Sequence, residues 1–265
     1  MLTGVDILVC VKRVPTVGGL VQLTDDGQEV DTRMSGFTVS PHEECAVEEA
    51  VRLTERDGGA VTVLTLGPAA AADQLRDMLA LGAHHGILLE ADGAEWGPIG
   101  TAAAIAAAVT GFGPDAFPLI LCGNEAADTG DFQVGIRIAA ALGRPCVTGI
   151  KQLEVAGSRL RASREYRGGQ EEFELPLPAV LGVREGLNLP RYPSLPGRLR
   201  ARRAELAVQR PERQQEGLRK ELLRVPAQPR QQAEILGHGV SAVPALLGVL
   251  AGLKVLPRGS GGGLA

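Results

Sequence analysis

The sequence predicts an α/β fold: a mostly parallel sheet with helices on both faces, then an antiparallel hairpin and a C-terminal arm. Short runs of aliphatic and β-branched residues alternate with alanine-rich stretches whose apolar residues recur at helical spacing, as in β-α units. The strand-like runs are mainly apolar, which indicates burial on both faces. With 265 residues, 45% of them hydrophobic, the chain can bury such a core.

Four strand and helix pairs occupy the first 142 residues. The strands are predicted at 6–11, 60–66, 86–89 and 119–122, and the helices that follow them at 41–56, 69–81, 99–109 and 131–142. The first helix has the clearest start. Ser40 suits the N-cap, Pro41 the first helical position and Glu43 the third, which together form a capping box.

After residue 143 the pattern changes from continuous apolar runs to alternation. Polar and apolar residues alternate over 151–156, 159–167 and 171–175, and Gly168-Gly169 lies between the last two segments. A period of two with a glycine turn is typical of paired antiparallel strands. We therefore expect an antiparallel hairpin that completes the domain.

The C-terminal part of the chain has the composition of an arm. Residues 188–203 are rich in proline and arginine, and residues 210–232 are polar and charged. Such segments have too few apolar residues to form a core of their own. The sequence therefore predicts an α/β domain over residues 1–205 and an arm over residues 206–265. The uncharged run 239–253 is shorter than the roughly 20 residues that span a bilayer, so we expect a packed helix and no membrane insertion.

Charge and cysteine content exclude several classes of function. A net charge of -4 gives no overall reason to bind nucleic acid. The cysteines are too far apart in sequence to form a CxxC pair, and the histidines lack metal-ligand spacing, so we expect reduced thiols and no metal site. The N-terminus has no basic region followed by an apolar stretch, which predicts a cytoplasmic protein.

The loop after the fourth predicted strand is the most informative segment. Gly123 ends an apolar strand, small and polar residues follow, and an alanine-rich helix begins soon after. Backbone N–H groups at a helix start suit a phosphate, and open α/β sheets bind ligands at the carboxyl ends of their strands. Alternatively, the glycines only make a turn and Asp128 or Asp131 only caps the helix. Residue types alone leave both interpretations open.

Three other features have both a functional and a structural interpretation. Lys12 and Arg13 follow the first strand, where they could meet a phosphate or simply be solvated. His42 is an unpaired candidate acid or base, but no serine or cysteine nucleophile accompanies it, so we expect no catalytic residue. Leu195 precedes a series of arginines and could anchor a partner protein, although charged runs are often solvated helix faces.

The chain resembles electron transfer flavoprotein beta subunits from residue 7 to about residue 203. The segments that carry the resemblance are VKRVP at 11–15, SPHEECAVEEAVRL at 40–53, LGP at 66–68, LALGA at 79–83, EYRGGQEE at 165–172, LPAV at 177–180 and LNLPRYPSLP at 187–196. The resemblance implies an electron-carrier subunit rather than an enzyme. Its partners would be an alpha subunit carrying the redox-active FAD, flavin dehydrogenases and a downstream oxidoreductase.

In that family the fold is an adenine-nucleotide α-hydrolase-like (Rossmann-like) α/β domain. The beta subunit buries AMP or, in the electron-bifurcating branch, a second FAD. By position, the resemblance assigns nucleotide contacts to Cys10, Ser40, Pro41, His42, Glu43, Leu66, Gly123, Asn124, Glu125, Ala126, Ala127, Asp128, Thr129, Gly130, Asp131, Phe132, Gln133 and Val134. It makes the loop around Leu195 the recognition loop for dehydrogenases. The tail from about Glu234 resembles the arm that clasps the alpha subunit.

Several positions depart from the family pattern and leave the nucleotide open. Phe132-Gln133-Val134 stands where AMP-binding members often have asparagine and threonine around the glutamine, whereas QVG at 133–135 is similar to the branch related to nitrogen-fixation electron carriers. Ser40 replaces a usual asparagine, and Val17 replaces an aromatic residue found near the flavin in some members. A nucleotide-hydrolysing or adenylate-forming enzyme and a nucleotide sensor are the alternatives from other classes.

Overall fold

The computed structural model describes residues 4–16, 21–91, 95–214, 217, 220–226 and 234–255. Its strands, in chain order, are β1 Ile7–Cys10, β2 Val14–Pro15, β3 Phe37–Thr38, β4 Val61–Gly67, β5 His85–Glu90, β6 Leu119–Gly123, β7 Cys146–Ile150, β8 Gln152–Ala156, β9 Arg159–Tyr166, β10 Gly169–Pro176, β11 Ala179–Val183 and β12 Ala207–Gln209. Its α-helices are α1 Pro41–Asp57, α2 Ala72–Leu81, α3 Pro98–Phe112, α4 Val134–Leu142, α5 Leu195–Arg203 and α6 Val243–Gly252.

A seven-stranded parallel sheet forms the centre of the fold. Its order is β12-β5-β4-β1-β6-β11-β7, and every neighbouring pair is parallel. All four strand and helix pairs predicted before residue 143 are present, although several end points differ. The second predicted helix starts as a 3-10 turn over Ala69–Ala71, and the fourth starts at Val134 rather than residue 131. The predicted fold class is confirmed.

Helices cover both faces of this sheet. On one face, Val47 of α1 packs in a core cluster with Val9 of β1. On the other face, Ile138 of α4 packs in a second cluster with Leu8. Leu8 and Val9 are consecutive residues that point to opposite faces, and both are fully buried. Continuous apolar strands were therefore a correct sign of burial on both sides.

The segment after α4 contributes more strands than the sequence predicted. β7 and β11 join the parallel sheet, and β11 pairs with both β6 and β7. The expected hairpin is part of a three-stranded antiparallel sheet with the order β10-β9-β8. Its turn is Arg167-Gly168, with φ of 49° and 80°, because Gly169 already pairs with Tyr166. The predicted turn was therefore wrong by one residue.

Part of the segment that has the composition of an arm forms regular structure. Residues 195–203 form α5, which packs against α2. β12 pairs with the edge strand β5, so that Ala207 lies opposite Ile87. The sheet thus continues beyond residue 205, and the domain boundary after residue 205 stays a prediction.

The chain divides into two units, Met1–Leu223 and Arg224–Ala265. The described part of the second unit contains a 3-10 turn at Gly239–Ala242 followed by α6. Leu246 and Leu247 of this helix are exposed. The helix expected within the run 239–253 is present, although none of its residues is buried within this chain. None of the described helices has the length and apolar character needed to cross a membrane.

Candidate functional site

The ends of β1, β4 and β6 bring several predicted site residues together. Cys10 lies opposite Leu64 of β4 and Cys122 of β6 in the two parallel registers. Leu66 and Gly123 follow at the same edge of the sheet, where open α/β folds bind ligands. Cys10 and Leu66 also pack with the same core cluster. The predicted contacts Cys10, Leu66 and Gly123 are therefore neighbours in the fold.

The start of α1 lies against the loop after β6. Pro41 is the first helical residue, and the predicted capping box between Ser40 and Glu43 is present. Ser40 is fully buried, and its Oγ accepts a hydrogen bond from the backbone N of Ala127 at 3.0 Å. A serine that caps the helix thus also holds the loop. Two segments that are far apart in sequence are thereby joined at the site.

Glu43 is a buried carboxyl group at the centre of this edge. Its Oε2 accepts hydrogen bonds from the backbone N of Lys12 at 3.1 Å and of Ser40 at 3.3 Å. Burial raises the pKa of Glu43 to about 8, although these two hydrogen bonds act in the opposite direction. A Cβ at Gly123 would lie 2.6 Å from Cγ of Glu43. Glycine at 123 therefore makes room for this side chain.

Lys12 connects the end of β1 to the loop after β6. Its Nζ lies 2.8 Å from Oδ2 of Asp128 and also pairs with Glu95. Burial lowers the pKa of Lys12, but the charges and hydrogen bonds of Glu95 and Asp128 outweigh burial and raise it overall. The interpretation of Lys12 as a simply solvated cation is therefore wrong. It holds two acidic segments together.

His42 is held on both sides of its ring. Nδ1 accepts a hydrogen bond from the backbone N of Glu185 at 2.8 Å, and Nε2 lies 3.4 Å from Oε1 of Glu125. The expectation that His42 is unpaired was thus wrong. Because Nδ1 is an acceptor, Nε2 carries the proton in the neutral ring. His42 links the start of α1, the segment after β11 and the loop after β6.

The loop from Gly123 to α4 has an irregular backbone. Gly130 and Phe132 have φ of 58° and 56°, and the side chain of Phe132 is about half exposed. The N-cap of α4 is Gln133, whose side chain makes no cap hydrogen bond. The alternative in which Asp128 or Asp131 caps this helix is therefore wrong. The N-cap side chain therefore leaves the N–H groups of the first turn of α4 uncapped.

The predicted docking residue lies in a different part of the first unit. Leu195 is the first residue of α5 and is 72% exposed, and Leu189 and Tyr192 before it are also exposed. A cavity of about 510 Å³ lies between α2, α5 and the segment 189–193. None of the predicted nucleotide contacts lines this cavity. The segment 189–193, which leads to Leu195, therefore lines a surface that contains none of these contacts.

Glu95 and Glu185 contact the site but were not predicted. Each is far in sequence from the residue that it contacts, and neither lies in a recognisable motif. Arg13, which was considered with Lys12, stacks its guanidinium over the ring of Phe37 at 3.1 Å. Val17 lies outside the described residues. Among the residues that the structure describes, no group of three or more acidic, histidine or cysteine side chains could hold a metal ion.

A family model and curated relatives match most of the chain. The model of the electron transfer flavoprotein domain matches residues 30–212. The chain is 36% identical over 186 residues to the electron transfer flavoprotein subunit beta of Bacillus subtilis strain 168, which covers 70% of this chain and 69% of the relative. It is 37% identical over 203 residues to the subunit beta of Syntrophomonas wolfei, with 76% and 78% covered. The subunit beta of Bradyrhizobium diazoefficiens is 37% identical over 204 residues, with 76% and 80% covered.

Proposed function

The chain belongs to the electron transfer flavoprotein family as a beta subunit, and from this premise we propose that it binds one adenine nucleotide at the carboxyl edge of its sheet. The role in electron transfer comes with the family. The nucleotide is AMP, with a second FAD as the alternative. The redox-active FAD belongs to a separate alpha subunit, and flavin dehydrogenases and a downstream oxidoreductase exchange electrons with the complex.

The observation that carries the proposal is a loop in which two acidic side chains have cationic or proton-donating partners. Asp128 pairs with Lys12 at 2.8 Å, and Glu125 lies 3.4 Å from His42. These partners reduce the repulsion that the two carboxylates would exert on a phosphate. The N–H groups at the start of α4 have no side-chain cap and favour an anion through the helix dipole. An acidic loop can therefore still accept a nucleotide.

The residues present fit such a nucleotide. The backbone between Gly123 and Val134 would hold the phosphate, and Cys10 and Leu66 would provide an apolar surface for the remainder. Ser40 and Glu43 would act indirectly by fixing the loop. FAD supplies the redox chemistry of the complex when it is bound. The residues of this chain bind and orient the nucleotide, and they exclude water from it.

The decisive experiment is to co-express the chain with its alpha subunit, denature the purified complex, and quantify FAD and AMP per heterodimer. One FAD and one AMP would support the simple carrier. Two FAD and no AMP would support the bifurcating alternative. One FAD without any second nucleotide would contradict nucleotide binding by this chain.

Changing Lys12 to methionine is expected to lower the AMP content of the complex, because Asp128 then faces the nucleotide without a counter-ion. We expect roughly tenfold weaker AMP binding. Lys151→Met is a matched control, since Lys151 has similar exposure and pairs with Glu165 in the antiparallel sheet. Calorimetric titration of the AMP-stripped heterodimer with AMP measures the affinity. Equal affinities for the two variants would contradict this role of Lys12.

The exposed apolar side chains of the second unit favour a contact with the alpha subunit. Most of the large apolar side chains in its described part are exposed, including Val240, Leu246 and Leu253. Exposed apolar patches of this kind mark interaction sites. We propose that this segment clasps the alpha subunit, as the family resemblance implies.

Flavin dehydrogenases are proposed to dock at the surface around Leu195. Changing Leu195 to alanine should raise the KM for a reduced flavin dehydrogenase about tenfold, because an exposed apolar anchor is lost. The FAD content should stay unchanged. Leu222→Ala, the same change at an exposed leucine outside α5, is the control. Stopped-flow reduction of the complex at varied dehydrogenase concentrations measures KM for both variants. An unchanged KM for Leu195→Ala would contradict the docking assignment.

A further inference from the structure

Glu48 is a buried carboxylate that the nucleotide site does not explain. It lies in α1 and is 2% exposed. Buried charges are rare unless they are paired and hydrogen-bonded. Its Oε2 accepts hydrogen bonds from the backbone N of Arg191 at 3.2 Å and from Nε of Arg191 at 2.9 Å. Its Oε1 pairs with Arg52.

The partner of Glu48 lies in the segment that leads to Leu195. Arg191 also binds Glu55, with 2.7 Å from Nη1 to Oε1 and 2.9 Å from Nη2 to Oε2. Its guanidinium thus bridges two carboxylates that lie two turns apart on α1. Two-pronged pairing of this kind fixes the orientation of the arginine as well as its position.

Further contacts attach the same segment to α1. Arg52 donates from Nη2 to the carbonyl O of Leu189 at 3.1 Å. Asn188 donates from Nδ2 to the carbonyl O of Cys45 and to Oε2 of Glu49, both at 3.0 Å. The backbone of residues 188–191 is therefore held against the helix at several points.

The side chains of this segment behave differently from its backbone. Leu189, Tyr192 and Leu195 are 83%, 95% and 72% exposed, although large apolar side chains are normally buried. An apolar anchor binds more tightly when its backbone is already ordered, because less conformational entropy is lost on docking. The segment combines a fixed backbone with projecting apolar side chains.

We infer that Glu48 is a positioning residue for partner docking, which holds the segment 188–195 in its binding conformation through Arg191. This inference rests on the proposed docking of flavin dehydrogenases. Glu48 itself is buried and does not contact the docked protein. Its carboxylate fixes Arg191, and Arg191 fixes the backbone between the exposed side chains of Leu189 and Tyr192.

The experiment compares heterodimers that carry Glu48→Gln with the wild type. Glu48→Gln keeps the side-chain size but weakens the hold on Arg191. We expect a KM for the reduced flavin dehydrogenase that is about tenfold higher, with kcat, FAD content and reduction by dithionite unchanged. Dithionite needs no docking and reports on the flavin alone. Glu55→Gln, which removes the charge of the exposed carboxylate that binds Arg191, should change KM less.

Hydrogen exchange gives a readout that does not depend on docking. The backbone N of Arg191 should exchange faster in Glu48→Gln, because it loses its charged acceptor. If Glu48→Gln does not fold, Arg191→Gln makes the same test, since Glu48 keeps Arg52 as its partner. Unchanged exchange in the variant would overturn the positioning role. An unchanged KM in a complex whose KM rises with Leu195→Ala would also overturn it, whereas no response to Leu195→Ala would overturn docking itself.

Discussion

Replacing Gly123 with alanine is expected to lower both the stability of the chain and its nucleotide content. The new Cβ would lie 2.6 Å from Cγ of Glu43, which is closer than non-bonded carbons approach. Glu43 cannot easily move, since it is buried and accepts hydrogen bonds from Lys12 and Ser40. Overpacking of this kind typically costs about 1–3 kcal/mol. Denaturant unfolding of the heterodimer and AMP quantification measure the two effects.

Gly135→Ala provides a matched control for the effect of this change on stability. A Cβ at Gly135 would lie 3.4 Å from Cβ of Cys122, which is ordinary contact, and alanine is the better helix former in α4. We expect unchanged or slightly increased stability. In the double variant with Gly123→Ala and Glu43→Ala, the loss of stability should be smaller than the sum of the losses in the two single variants. The reason is that the Cγ with which the new Cβ clashes is gone. Equal losses at Gly123 and Gly135 would contradict this explanation.

The sequence predicted the strands whose own residues indicate burial. β1, β4 and β6 are mainly apolar, with threonine at two positions of β4, and were assigned within two residues at each end. β12 was missed because its three residues are all exposed, and it is a strand only through pairing with β5. β11 is fully buried, but Pro178 and the preceding alternation hid its start. Strands made by tertiary pairing leave little trace in local sequence.

In the candidate site, too, local sequence predicted some features, whereas contacts between distant residues could not be predicted. The grouping of Cys10, Leu66 and Gly123 could be predicted because parallel strands end at one edge of a sheet. The pairs Lys12–Glu95 and His42–Glu185 join residues 83 and 143 positions apart, and nothing local marks them. The sequence also could not show why residue 123 is a glycine. A glycine before a helix suggests close approach of a phosphate, whereas the structure places the side chain of Glu43 beside it.

Stability is expected to fall as the pH rises through the range in which Glu43 ionises. Burial raises the pKa of Glu43 from 4.5 to about 8, so at intermediate pH the folded chain keeps a proton that the unfolded chain releases. This contribution is complete below pH 4.5 and is lost as the pH rises through about 8. Its size is on the order of a few kcal/mol.

Changing Glu43 to glutamine tests this directly, because the amide stays neutral at every pH and can still accept from Lys12 and Ser40. The free energy of unfolding should then lose most of its decline between about pH 4.5 and pH 8. Glu44→Gln is the control: Glu44 lies in the same turn of α1 but is only partly buried, so most of the decline should remain. Urea unfolding at a series of pH values gives both curves. If Glu43→Gln follows the wild-type curve, the carboxyl group is ionised in the folded chain, and its two backbone hydrogen bonds outweigh its burial.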